Sequence, residues 1–97
     1  MSTGGVTAHI VSTRPPRRVT AFDPAKLHTS IVGVCLSAGA PTGSAENIAR
    51  RVVEEVSLWL ETRPEVTTAD LRRVVGRALK PYHPDASYLY EHHRSTL

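Results

Sequence analysis

The chain has 97 residues, of which 40% are hydrophobic and 22% charged, with a net charge of +3 and one cysteine. That suits one domain with a modest core, excludes wholesale disorder, and leaves no means of building an internal disulfide or a multi-cysteine metal site. No apolar run approaches the roughly 18 residues that cross a bilayer, and the opening MSTGGVTAHIV lacks the regions of a signal peptide, so a cytoplasmic chain with no membrane partner is expected.

Residues 1 to 5 are small and polar and read as a disordered tail, with 6 to 97 as a single domain. VTAHIV alternates like a strand, STRPPRR breaks it, and Val19 to Phe22 return as a second strand. The turn between them carries two prolines with Arg14, Arg17 and Arg18. Two strands alone are marginal, so this hairpin needs a helical surface to lie on.

Asp23-Pro24 has the form of an N-cap and first helical residue, and Leu27, Ile31, Val34, Cys35 and Ala38 follow with helical spacing until SAGAPTGS stops the helix. Cys35 is expected in the core. Lys26 falls in the first turn, where the partial positive charge of a helix N-terminus makes a cation mildly unfavourable. A second helix opens near Ser44 and buries Ile48, Ala49, Val52, Val53, Val56, Trp59 and Leu60 before TRPE ends it. On its outer face Arg50 and Arg51 stand four residues before Glu54 and Glu55, which reads as solvated ion pairs.

Thr67 with Asp70 three positions on has the form of a capping box, opening a third helix with Leu71, Val74, Val75, Ala78 and Leu79 as its stripe. Pro81 ends it. HPDASYLYEHHR forms a short fourth helix, capped by Asp85, with Ala86, Leu89 and either Tyr88 or Tyr90 facing inward. His83 reads as a turn residue and His9 as a solvent-facing strand residue.

The chain lacks the glycine-rich loops that cradle phosphates and any nucleophile-histidine-carboxylate set, so no enzyme is expected. His92 and His93 are adjacent and diverge on a helix, so they do not chelate one metal. Arg72, Arg73, Arg77 and Lys80 give the third helix a basic flank. TRPEVTT is nevertheless long for a helix-turn-helix turn, and Asp70 at the helix start has the wrong sign for phosphates, so direct nucleic-acid binding is a minor alternative.

Phe22-Asp23-x-x-Lys26-Leu27-x-x-Ser30-Ile31, then Ala49 in NIARRVVEEV, then VTTADLRRVVGRAL and HPDASYLYEHHR, in this order and spacing, resemble the ATP-cone family over residues 9 to 94. That resemblance implies an α+β, mainly α fold, with a small β-hairpin or sheet lid packed on a four-helix bundle. It also implies a non-enzymatic regulatory module holding ATP or dATP, with Mg2+, between lid and bundle. Such modules control a ribonucleotide reductase or its expression. Lys26 and Thr68 match the family's phosphate-contacting lysine and the threonine opening the third helix; Arg14 matches one basic residue of the hairpin. Arg17, Arg18, His28 and Arg72 complete the candidate nucleotide site. Prolines stand where the family has an Asp-Gly turn, so the lid turn must differ; separately, Thr20 stands where a glutamate is usual. The alternative to nucleotide sensing is a degenerate cone that serves as a protein-interaction or homo-oligomerisation domain.

Overall fold

The computed structural model describes residues 8–13 and 15–92, and its described part is a small, mostly helical α+β fold. Three strands, β1 (His9–Val11), β2 (Val19–Ala21) and β3 (Glu65–Thr67), accompany four helices, α1 (Pro24–Ser37), α2 (Thr42–Leu60), α3 (Thr68–Leu79) and α4 (Pro84–His92). The expected tail and His93 lie outside the described residues, as does Arg14.

The sheet has the order β2-β1-β3. Strand β1 pairs antiparallel with β2, His9 opposite Ala21, as the hairpin reading requires. It also pairs parallel with β3, His9 opposite Glu65. The third strand corrects the two-stranded expectation: within TRPEVTT, Glu65–Thr67 form a strand that runs straight into α3, and it was hidden because a three-residue strand with one inward residue, Val66, has no alternation to detect. Phe22 N extends the hairpin by donating to Ala8 O at 2.9 Å, and His9 N donates to Pro64 O at 2.9 Å.

Asp23 caps α1 through Oδ1, which accepts from Ala25 N at 3.0 Å and Lys26 N at 3.4 Å. Leu27, Ile31, Val34 and Cys35 are its buried face. The helix ends in a Schellman motif: Gly39, at φ 97°, donates to Leu36 O, and Ala40 N donates to Cys35 O at 2.9 Å. Glycine is required at that position because its left-handed backbone crowds a Cβ. Helix α2 starts at Thr42, two residues earlier than expected, behind Pro41 and with no side-chain cap. The expected Arg50 and Arg51 pairs with Glu54 and Glu55 do not form. Arg50 instead bonds Asn47, and Glu55 accepts from Tyr82 Oη at 2.9 Å, so the outer face is tied to the α3–α4 connection.

In α3, Thr67 Oγ1 accepts from Asp70 N at 3.0 Å, but the Asp70 carboxylate turns to Arg73 at 3.3 Å, so only half of the capping box is made. In α4 the cap is His83, whose Nδ1 accepts from Ala86 N at 3.3 Å. Asp85 lies inside the first turn. Proline at the first helical position moves the cap one residue ahead of it. Tyr90 is the inward tyrosine, at 0% exposure, and Tyr88 is outward, stacked on His92.

Helix α1 packs on α2 and α4, and α3 on α2 and α4. Ile31, Val52, Val56, Val75 and Leu79 are buried in one cluster with Ile10, Phe22 and Val66 from the sheet segments. At the α3–α4 seam, Ser87 Oγ donates to Gly76 O at 2.6 Å, and Gly76 lies against the Glu91 side chain. No helix among the described residues is long and apolar enough to cross a membrane.

Candidate nucleotide site

Three chain segments meet where β2 runs into α1 and β3 into α3. They enclose a cleft of about 300 Å³ lined by Ile10, Thr20, Ala21, Phe22, Asp23, Lys26, Leu27, Thr68 and Leu71. Ile10, Phe22, Leu27 and Leu71 form an apolar floor, since each is buried. Lys26 and Thr68 stand at the polar rim with Asp23. A cleft with an apolar floor and a few polar groups suits a small organic ligand, and its volume lies at the small end of the usual range.

The structure brings Lys26 and Thr68 together, although they are far apart in sequence. It does not bring the other candidates to this cleft. Arg17 and Arg18 are exposed beyond the cis Pro15-Pro16 bond, His28 is half-buried one residue past Leu27, and Arg72 is half-buried one turn along α3 from Thr68. Arg14 lies outside the described residues.

The helix ends at this cleft offer an anion less than the sequence promised. Asp23 Oδ1 takes the N–H groups of Ala25 and Lys26, and Asp23 O takes that of Leu27 at 3.1 Å, so the orphan donors of α1 are spent. At α3, Thr67 takes Asp70 N, and Thr13 Oγ1 takes Ala69 N at 3.1 Å. The attraction for a negative ligand therefore falls on the exposed Lys26 ammonium, because Arg73–Asp70 is the only ion pair among the described residues.

Thr13, which holds the rim residue Thr68 without lining the cleft, is a contact that sequence reasoning missed. Its N–H donates to Thr68 Oγ1 at 3.2 Å, and the two hydroxyls are 2.7 Å apart. Three buried polar atoms on residues that do not line the cleft have no hydrogen-bond partner: Ser30 Oγ, Arg72 Nε and Tyr90 Oη. Burial pushes the Tyr90 phenol above its ordinary value, while neighbouring Ser30 and the Arg72 charge pull it back. The signal for Ser30 was in the sequence: a hydroxyl on the inward stripe between Leu27 and Ile31. No group of three or more metal-ligating side chains exists among the described residues. Comparison with protein-family models, with curated proteins and with solved structures found no match for the chain.

Proposed function

We propose that the chain is a non-enzymatic, ATP-cone-like regulatory module that binds ATP or dATP in the cleft between its sheet, acting as a lid, and its helices. The observation that carries this reading is the convergence of Lys26 and Thr68 on the rim of a cleft floored by Ile10, Phe22, Leu27 and Leu71. The adenine would lie on the floor and the phosphates would meet the Lys26 ammonium, which has no carboxylate partner among the described residues to release first. Asp23 on the same rim suits a nucleotide that brings its own Mg2+, since that ion accepts carboxylate and phosphate oxygens together. The regulated partner on this reading is a ribonucleotide reductase or the machinery of its expression. Nucleic-acid binding through α3 gains no support, because its first turn is covered by Thr13 and carries Asp70.

Isothermal titration with ATP and dATP tests the proposal. Binding is expected, and Lys26→Ala is expected to weaken it by about 1 to 3 kcal/mol, the range for a hydrogen bond to a charged group. No heat and no amide shift along residues 20 to 31 at millimolar nucleotide would overturn it in favour of a protein-interaction domain.

A further inference from the structure

Strand β2 is an edge of the sheet, and each of its residues is exposed. Antiparallel pairing turns the backbone groups of alternate residues towards and away from the neighbouring strand. Ser12 N donates to Arg18 O, Phe22 N donates to Ala8 O, and Thr20 lies opposite Ile10, so Arg18, Thr20 and Phe22 face β1. The N–H and C=O groups of Val19 and Ala21 therefore point out of the sheet, and no described residue bonds them. Such a row is a template for a further strand, which natural edges commonly blunt with a charge, a proline or a bulge. The stretch VTA carries none of these, and Val19 is 59% exposed. The opposite edge, β3, offers less room, since Pro64 precedes it and α3 begins directly after Thr67.

Residues 16–24, PRRVTAFDP, are complementary to themselves about Thr20. When two copies run antiparallel with Thr20 opposite Thr20, Val19 meets Ala21 of the second copy, Arg17 meets Asp23, and Pro16 meets Pro24. Asp23 is still extended, at φ -120° and ψ 103°, so the stretch able to pair reaches it before Pro24 opens α1. Its Oδ1 is committed to the cap of α1, which leaves Oδ2 for a guanidinium. Arg17 is exposed and has no carboxylate among the described residues of its own chain. Other registers lose this match. Arg18 opposite Arg18 sets like charges against each other, which destabilises a strand pair. A centre at Val19 sets Arg17 against Ala21, and a centre at Ala21 sets it against Ala25 in α1.

We propose that β2 is a homodimerisation edge, on which two copies of the chain pair antiparallel about a two-fold axis at Thr20. Val19 and Ala21 of each copy exchange both backbone hydrogen bonds with their opposites, and Arg17 of each pairs with Asp23 of the other. The result is one continuous sheet of order β3-β1-β2-β2-β1-β3. A two-fold contact uses the same patch on both copies, which is the self-complementarity that residues 16–24 possess. Thr20 and Asp23 also line the cleft, so the two clefts become neighbours across the axis. Strands this short bury less than the roughly 1,200 Å² of a standard interface, so the association is weak and reversible. The dimer does not rest on the nucleotide reading and forms without a ligand.

Analytical ultracentrifugation of the whole chain without nucleotide, from about 10 μM to about 1 mM, tests the proposal, with thermal melts to verify that each variant folds. The mass should rise from that of one chain towards that of two. Val19→Pro removes an outward N–H and leaves the β1 ladder intact, so it should keep the chain monomeric. Arg17→Glu, at an exposed position, sets a second carboxylate against Asp23 and should weaken the dimer at least about tenfold; it keeps the test alive if Val19→Pro does not fold. Thr20→Cys places two thiols on the axis with Cα atoms about 4.5 Å apart, within disulfide reach, and should cross-link readily under mild oxidation. Val19→Cys places them two positions out of register, beyond the roughly 7 Å limit, and should not. A chain that stays monomeric at millimolar concentration, a dimer indifferent to Val19→Pro and Arg17→Glu, or equal cross-linking of the two cysteine variants overturns the proposal.

Discussion

The hydroxyls of Thr13 and Thr68 lie 2.7 Å apart, joining the β1–β2 connection to the first residue of α3. Around that contact, Thr13 N donates to Thr68 Oγ1 and Ala69 N donates to Thr13 Oγ1, so a residue remote in sequence caps α3 alongside the local Thr67. Each threonine to valine change keeps the shape and removes the hydroxyl. Thr13→Val and Thr68→Val should each lower unfolding free energy by about 1 kcal/mol. Because the two share the same bonds, the double variant should cost clearly less than the sum, which a double-mutant cycle in urea would read directly. Additive losses would mean that the two residues act separately.

Asp23 and Lys26 occupy the same helical end with opposite electrostatic consequences. Asp23→Ala should destabilise the fold by about 1 kcal/mol, since it strips a cap that serves two N–H groups. Lys26→Ala should leave stability unchanged or raise it by a few tenths of a kcal/mol, because a cation leaves the positive end of the helix. Thermal melts at low salt check the signs. A marked loss of stability in Lys26→Ala would make the lysine a structural residue.

Two buried acids hold their protons more tightly in the folded chain. Burial raises the Cys35 thiol above its ordinary 9.0, and it raises the Tyr90 phenol above its ordinary 10.0. A folded value above the unfolded one means that the associated stability is complete below the unfolded value and is lost as pH rises through that value towards the folded one. Stability should therefore hold to about pH 9 and fall beyond it, and a Cys35→Ala, Tyr90→Phe chain should fall less steeply. The same burial predicts that a thiol reagent labels Cys35 only as fast as the chain opens. Rapid labelling under native conditions would contradict its placement.

At the α3–α4 seam, Gly76 O already accepts from Lys80 N at 3.1 Å besides the Ser87 hydroxyl. Removing the serine oxygen thus leaves no orphaned carbonyl. Ser87→Ala should cost only about 0.5 to 1.5 kcal/mol, the net worth of an ordinary hydrogen bond, in chemical denaturation. A larger loss would mean that the seam carries more of the fold than this one bond.

Much of this architecture was legible because its signals are local. Asp23-Pro24, the SAGA stop and the helical spacing of Leu27, Ile31, Val34 and Cys35 each depend on residues within a few positions, and each formed where read. Features set by distant contacts were not legible. β3 exists because Val66 pairs beside Ile10. Thr13 matters because α3 starts next to it, and Arg51 and Glu55 turn from the helical pairing pattern because Tyr82 lies within reach. Within the candidate site, Lys26 and Thr68 were identifiable from motif positions. That the buried polar atoms of Ser30, Arg72 and Tyr90 would find no partner could be seen only once their three helices were packed.

The strand in the middle of the sheet leaves the ribosome before either of its neighbours, and its parallel neighbour is synthesised only after α1 and α2. A nascent chain can close the β1–β2 hairpin early, but the sheet cannot be completed until residue 67 has emerged, so its last pairing joins residues 9–11 to residues 65–67 across the whole of α1 and α2. Deleting the first dozen residues would take away the one strand that both others hold, leaving β2 and β3 with no common partner and exposing Val66 and Phe22 to water.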